Sequence, residues 1–215
     1  RVVSGLAYSA DLGYSGKAYS PRLGFESRQD FASLGGALRS GWTPKGPTPF
    51  LMHRVAVEAW ALRSNTRGVI ESADAGPMWA TRTKSGYLMM ASPRFSAEDV
   101  PGPLALAPDV AVPAGRYQFG HILGYLATPP TRLFSAELNA DAGSFYDGRR
   151  FSLSVSPRWQ PHQDVEVTGG YQLERITFDS RRQAMTSHVS RIRLSYVPTT
   201  ALTLSVLVQH VSLQR

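Results

Sequence analysis

Apolar and polar residues alternate one by one along much of this chain. Phe151, Leu153, Val155, Pro157 and Trp159 fall on one parity, and Ser152, Ser154, Ser156 and Arg158 fall on the other. A strand reverses side-chain direction at every residue, so such a segment presents one apolar and one polar face. Phe134, Ala136, Leu138, Ala140 and Ala142 oppose Glu137, Asn139 and Asp141 in the same way. Val165, Val167, Tyr171 and Leu173 oppose Glu166, Thr168, Gln172 and Glu174, and Ile192, Leu194 and Tyr196 oppose Arg191, Arg193 and Ser195. The period predicts eleven strands, at about 2–14, 28–42, 50–62, 68–82, 86–95, 115–127, 132–144, 150–159, 164–176, 188–197 and 201–212. Gly76–Pro77 weakens the fourth, because proline cannot donate to a ladder. No apolar stripe has a helical period, so little helix is predicted.

The connections sort by parity. The long ones are the first (Ser15–Ser27), the fifth (Ser96–Ala114) and the ninth (Thr177–Ser187). The even-numbered ones are turn chemistry: TPKGPTP, TKSG, TPPT, QPHQ and VPTT. In an up-and-down array odd and even connections lie at opposite ends, so every long loop falls at one end. Outer-membrane barrels show this asymmetry, whereas a Greek-key sandwich has no reason to sort loops by parity. Several strands run well past the ~5–6 residues usual in soluble proteins, toward the ~9–11 a tilted membrane strand needs. Trp42, Trp159 and Tyr196 each precede an even-numbered turn, where an aromatic girdle at headgroup level would place them. Aromatics flanking turns in any β protein are the plainer alternative.

Composition agrees. Charged residues make up 18% of the 215, below the ~25% of average soluble domains. The net charge of +7 is dispersed, with no basic run, so a nucleic-acid partner is not indicated. Cysteine is absent, which removes disulfides and thiolate metal sites. No apolar run reaches the ~20 residues of a transmembrane helix, and no signal peptide opens the chain. Arg1 already stands in a strand-like pattern, so the sequence reads as a fragment. The fold expected is an all-β, up-and-down antiparallel transmembrane barrel spanning residues 1–215, missing strands at one or both ends because bacterial barrels are usually even-stranded. The alternative is a soluble sandwich, a periplasmic binding module gripping a ligand with its long loops.

If the apolar face meets lipid, arginine must face inward, since one at the bilayer midplane costs about 2–4 kcal/mol. Arg158, Arg191 and Arg193 are then expected to pair with Glu137, Asp141, Glu166 and Glu174. This network either lines a polar passage or fills a narrow lumen. Arg149, Arg150, Arg181 and Arg182 share the long-loop end, where they would bind lipopolysaccharide phosphates or simply be solvated. Asp147–Gly148 reads as a hairpin turn with glycine at positive φ. Glu98 and Asp99 open the fifth connection, whose run VPGPLALAPDVAVP is too apolar for a mobile loop and is expected to plug or cap the barrel over residues 96–114.

Catalytic signatures are missing: there is no GxSxG, HExxH or GxxxxGK[ST]. His53, His121, His162, His188 and His210 are scattered singly, with no i, i+4 pair for a metal. No base and orienter for a nucleophilic triad can be picked out. No enzyme, cofactor or metal site is expected.

Four segments carry a family resemblance: RLGFESRQDF (Arg22–Phe31), PAGRYQFGHI (Pro113–Ile122), GSFYDGRRFSLSVSPRW (Gly143–Trp159) and ALTLSVLVQH (Ala201–His210). In collinear order they resemble domain of unknown function 5916 (DUF5916), a C-terminal outer-membrane barrel domain of Gram-negative bacteria. That family often carries a preceding carbohydrate-binding, family 9-like module. The resemblance implies a barrel for anchoring or transport, with carbohydrate binding or uptake through a module this chain lacks. It also implies further strands beyond Gln209-His210-Val211.

Overall fold

A computed structural model describes residues 4–19 and 29–214. Eleven long strands form one antiparallel sheet in chain order: β1 (Gly5–Ser15), β2 (Phe31–Trp42), β3 (Phe50–Ser64), β4 (Ile70–Thr83), β5 (Leu88–Val100), β8 (Gly115–Ala127), β9 (Phe134–Phe145), β10 (Gly148–His162), β11 (Val165–Phe178), β12 (Gln183–Thr199) and β13 (Leu202–Gln214). Two short strands, β6 (Leu104–Ala107) and β7 (Val110–Val112), form a separate hairpin between β5 and β8. A single 3-10 turn, Asp179–Arg181, is the one helical element among the described residues. Most of the first long connection, with the Arg22–Phe31 segment as far as residue 28, lies outside them.

All eleven strands predicted from the alternation are present, and every neighbour in sequence is a neighbour in the sheet. The sheet is not closed. Among the described residues β1 pairs only with β2 and β13 only with β12, so the eleven strands form an open antiparallel sheet and not a closed barrel. Among the described residues no second sheet covers the apolar face, so they form no two-sheet sandwich.

Register turns the alternation into two continuous faces, because directly paired residues share a side. One row runs Leu126–Leu138–Val155–Tyr171, and another runs Phe134–Trp159–Val167–Leu194–Val206. These rows are apolar. The opposite face carries Asp11, Arg39, Glu58, Asp74, Arg94, His121, Asp141, Arg150 and Arg158. On β1 the apolar face is bare: Leu6, Tyr8, Leu12 and Tyr14 are 72%, 86%, 85% and 76% exposed.

The connections differ in detail from expectation. β5 continues to Val100, so Glu98 and Asp99 belong to a strand and the fifth connection shrinks to 101–114. β12 begins at Gln183, which leaves the ninth connection only residues 179–182. The two longest connections, 16–30 and 101–114, are odd-numbered as expected, but the ninth is shorter than the even-numbered connections 43–49 and 128–133.

The buried core is small and lies at the long-loop end. Val110 and Val112 of β7 pack with Val100, Ile176, Phe178 and Met185, and Val112 and Phe178 are fully buried. Ile176, Phe178 and Met185 belong to the polar face by register, so the β6–β7 hairpin folds over that face. Arg181 fastens it, with Nη1 donating to the Ala111 carbonyl (2.6 Å), Nη2 to Asp147 Oδ1 (2.9 Å) and its guanidinium 4.1 Å from the Phe178 ring centroid.

Candidate functional site

The polar face carries the chemistry. β3, β4, β5 and β8 bring Trp60, Asp74, Ser96 and Phe119 into one register row. This row floors a cavity of about 280 Å³ toward the long-loop end, walled further by Glu98, His121, Asp141, Phe145, Tyr146 and Arg150. Its lining comes from six strands, which would spread over roughly 24 Å in a flat sheet at ~4.8 Å per strand. A cavity this small touches them all only if the sheet bends toward its polar face.

Two charge clusters organise the floor. Arg94, which is buried, donates through Nε and Nη2 to Asp74, and Ser96 Oγ donates to the other Asp74 oxygen at 2.9 Å. His121 Nδ1 donates to Asp141 Oδ1 at 2.7 Å, and Arg150 reaches Asp141 Oδ2 at 3.7 Å and Glu174 Oε1 at 3.0 Å. Glu98 differs: it accepts from the Ser72 hydroxyl (2.8 Å) and has no cationic side chain within ion-pair distance among the described residues. Tyr146, in the β9–β10 turn, has its hydroxyl pKa raised, first by burial and then by the negative charge of Glu98.

Ser96, His121 and Asp141 stand in the order of nucleophile, base and orienter, with Ser96 Oγ 3.4 Å from His121 Nε2. Ser96, however, gives its proton to Asp74. The backbone around it sits in the β4–β5–β8 ladders, where N–H groups are engaged rather than aimed at a developing oxyanion. The arrangement suits binding of a polar solute better than acyl transfer. No group of three or more candidate metal ligands occurs among the described residues.

A second cavity of about 560 Å³ lies toward the short-turn end, lined by Glu137, Arg158, Arg191 and Arg193 among others. Here the predicted network forms only in part. Arg158 Nε donates to Glu166 at 2.6 Å. Asp141 and Glu174 are taken by Arg150, which was expected in an outer loop and instead stands on the polar face of β10. Arg191 and Arg193 share the polar face but reach none of the expected carboxylates, and Arg191 lies across Gly170, where a Cβ would come within 2.5 Å of its Nε.

The outer arginines divide. Arg149 and Arg182 are exposed at the long-loop end, whereas Arg150 and Arg181 are engaged by acids. Trp42, Trp159 and Tyr196 lie on the apolar face at the short-turn end, 44%, 50% and 44% exposed. Trp79 joins them, stacked on His53 at 6.0 Å, with Trp42 5.4 Å from the same ring.

The hairpin turn at 146–147 is made differently from its sequence signal. Tyr146 takes the positive φ (52°), not Gly148. Gly148 is needed for a close approach, since a Cβ there would overlap the Thr177 carbonyl oxygen and the Phe178 ring.

Sequence reasoning missed Trp60, Asp74, Arg94, Ser96 and His121 as a group. Only Arg94 and Ser96 share a strand, and the register of four strands is what brings the five together. Comparison with known proteins adds nothing: no family model, no curated protein and no solved structure matches this chain.

Proposed function

We propose that this chain is the wall of a β-barrel in the outer membrane of a Gram-negative bacterium, with a non-catalytic anchoring or solute-transport role. The observation that carries this reading is the uncovered apolar face of an eleven-stranded up-and-down sheet, opposite a face rich in charge. In water such an expanse would be an aggregation site; in hydrocarbon it is the expected surface. From Phe151 to Trp159 the apolar parity covers eight residue steps, about 27 Å of strand at ~3.4 Å per residue. At the usual barrel tilt this matches most of a ~25 Å apolar band. Tyr171 and His188, polar groups on the apolar face, hydrogen-bond each other at 2.8 Å, as groups short of water do.

Hydrocarbon offers no partner to backbone N–H and C=O groups. The reading therefore requires the free edges of β1 and β13 to be paired in the membrane. The β6–β7 hairpin is a cap over the mouth at the long-loop end. Arg149 and Arg175, which share the apolar face by register at its long-loop end, and the exposed turn residue Arg182 would meet lipopolysaccharide phosphates. A link to carbohydrate binding or uptake rests on the resemblance to domain of unknown function 5916 and stands as part of the proposal.

Protease shaving of intact cells tests it, with cleavage sites mapped by mass spectrometry and compared after permeabilisation. Cuts confined to the connection at 16–30 and to 101–114 in intact cells support a spanning barrel. Cuts appearing only after permeabilisation, at odd and even connections alike, would indicate a soluble periplasmic domain.

A further inference from the structure

The cavity floored by the Trp60–Asp74–Ser96–Phe119 row has an unusual charge for this protein. Three carboxylates and one guanidinium line it, in a chain of net charge +7. Two carboxylates are neutralised locally, Asp74 by Arg94 and Asp141 by Arg150 and the His121 hydrogen bond. Glu98 is not. Its neighbours on both sides, β4 and β8, are fully described, so its want of a cation does not come from a missing strand.

The walls are aromatic. Phe119 lies 5.3 Å from Tyr146 and 6.0 Å from Phe145, and Tyr117 meets Tyr146 edge-on at 5.2 Å. Across the floor stands Trp60, 45% exposed, with no ring stacked on it among the described residues. A ring face carries negative quadrupole density and attracts a weakly hydrated cation, tryptophan most strongly. Phe145 already has Arg150 at 5.4 Å from its centroid and Tyr146 edge-on at 4.6 Å, so Trp60 is the ring without a partner among the described residues, and Phe119 with Tyr146 forms the wall opposite it. Tyr146 is also held at positive φ, an unfavourable conformation for a bulky residue, with its ring packed against the buried cluster under the β6–β7 hairpin.

We propose that this cavity binds a small organic cation, an ammonium or quaternary ammonium head group, between Trp60 and the Phe119–Tyr146 wall, with Glu98 as its counter-charge. An inorganic cation would seek several oxygen ligands and keep its water, whereas three ring faces and one carboxylate suit a cation clothed in methyl groups. The volume of about 280 Å³ admits a head group of that size and not an oligosaccharide. The proposal needs only the bent sheet and its polar face, so it stands apart from what the apolar face meets.

The test is calorimetric titration of the full-length protein, solubilised in a non-ionic polyoxyethylene detergent, with choline. The neutral isostere 3,3-dimethyl-1-butanol and glucose serve as comparisons. The expected result is saturable binding of choline, with the isostere at least about tenfold weaker, a difference of ~1.4 kcal/mol. Glu98→Gln should weaken choline to the level of the isostere, and Trp60→Leu should weaken both. Arg193→Gln, in the other cavity, should change neither and reports on folding and handling. Equal binding of choline and its isostere, binding of glucose without choline, or no binding of any probe by folded protein would each overturn the proposal. Protease shaving could still place the barrel in the membrane in any of those cases.

Discussion

Arg150 Nε lies 3.0 Å from Glu174 Oε1 across the β10–β11 pair, one residue after Arg149 points the other way into the opposite face. The adjacent arginines thus occupy different environments by parity alone. Both partners of the pair are about one-third exposed, so their coupling should be modest. A double-mutant cycle of Arg150→Ala and Glu174→Ala, measured by unfolding, is expected to give about 0.5–1 kcal/mol. It should shrink in high salt. Zero coupling at low salt would contradict the pairing.

Gly148 should tolerate no side chain. Gly148→Ala places a methyl against the Thr177 carbonyl and the Phe178 ring, and overpacking of this kind costs about 1–3 kcal/mol. Gly102→Ala, where nothing lies within 4 Å, should stay within ~0.5 kcal/mol of the parent. Similar values for the two would show that β10 and β11 do not meet as described.

Val112 anchors the β6–β7 cap. Its complete burial implies that Val112→Ala loses on the order of 2 kcal/mol from the cap's packing, counting transfer and cavity terms. Only a small local cluster is affected, so the sheet should persist while limited proteolysis at 101–114 accelerates. Unchanged proteolysis would mean that the hairpin is not held over the polar face.

Tyr146 gives a pH signature. Its folded pKa is raised by burial and by Glu98, so the neutral phenol is the form the fold favours. Its contribution to stability is fully present below the ordinary tyrosine value of ~10 and is lost as pH rises through the raised folded value. Tyr146→Phe should therefore flatten the decline of the unfolding midpoint above about pH 10 relative to the parent. An identical alkaline decline in the two proteins would count against the buried, Glu98-facing phenol.

What was legible in the sequence follows from what a period of two can encode. Ser152 to Arg158 against Phe151 to Trp159 specifies both a strand and its faces, so eleven strands and their up-and-down order could be read directly. The ends of β5 and β12 could not. Ala97, Glu98 and Asp99 look like loop, yet pair in step with Gln118, Tyr117 and Arg116. Thr186 to His188 is polar on both faces and still finds partners in β11 and β13. The β6–β7 hairpin did announce itself, since Pro108–Asp109 between LALA and VAV is a turn signal, but it was read as an undivided loop. The arginine pairings needed register: Arg150 rather than Arg191 or Arg193 meets Asp141 and Glu174, a choice that charge order cannot make. The cavity was hidden for the same reason, its residues lying 14 to 23 positions apart along the row from Trp60 to Phe119.

The central claim is that the apolar face meets lipid and the polar face water. These 215 residues contain no cysteine, so a single one can be placed at each position from Phe151 to Trp159 in turn. Labelling each variant in native outer membranes with a small, charged, water-soluble thiol reagent reads the environment of that position. The account predicts alternation: labelling at 152, 154, 156 and 158, and protection at 151, 153, 155 and 157 that is lost when the membrane is dissolved and the protein unfolded. Equal labelling of both parities in intact membranes would contradict it.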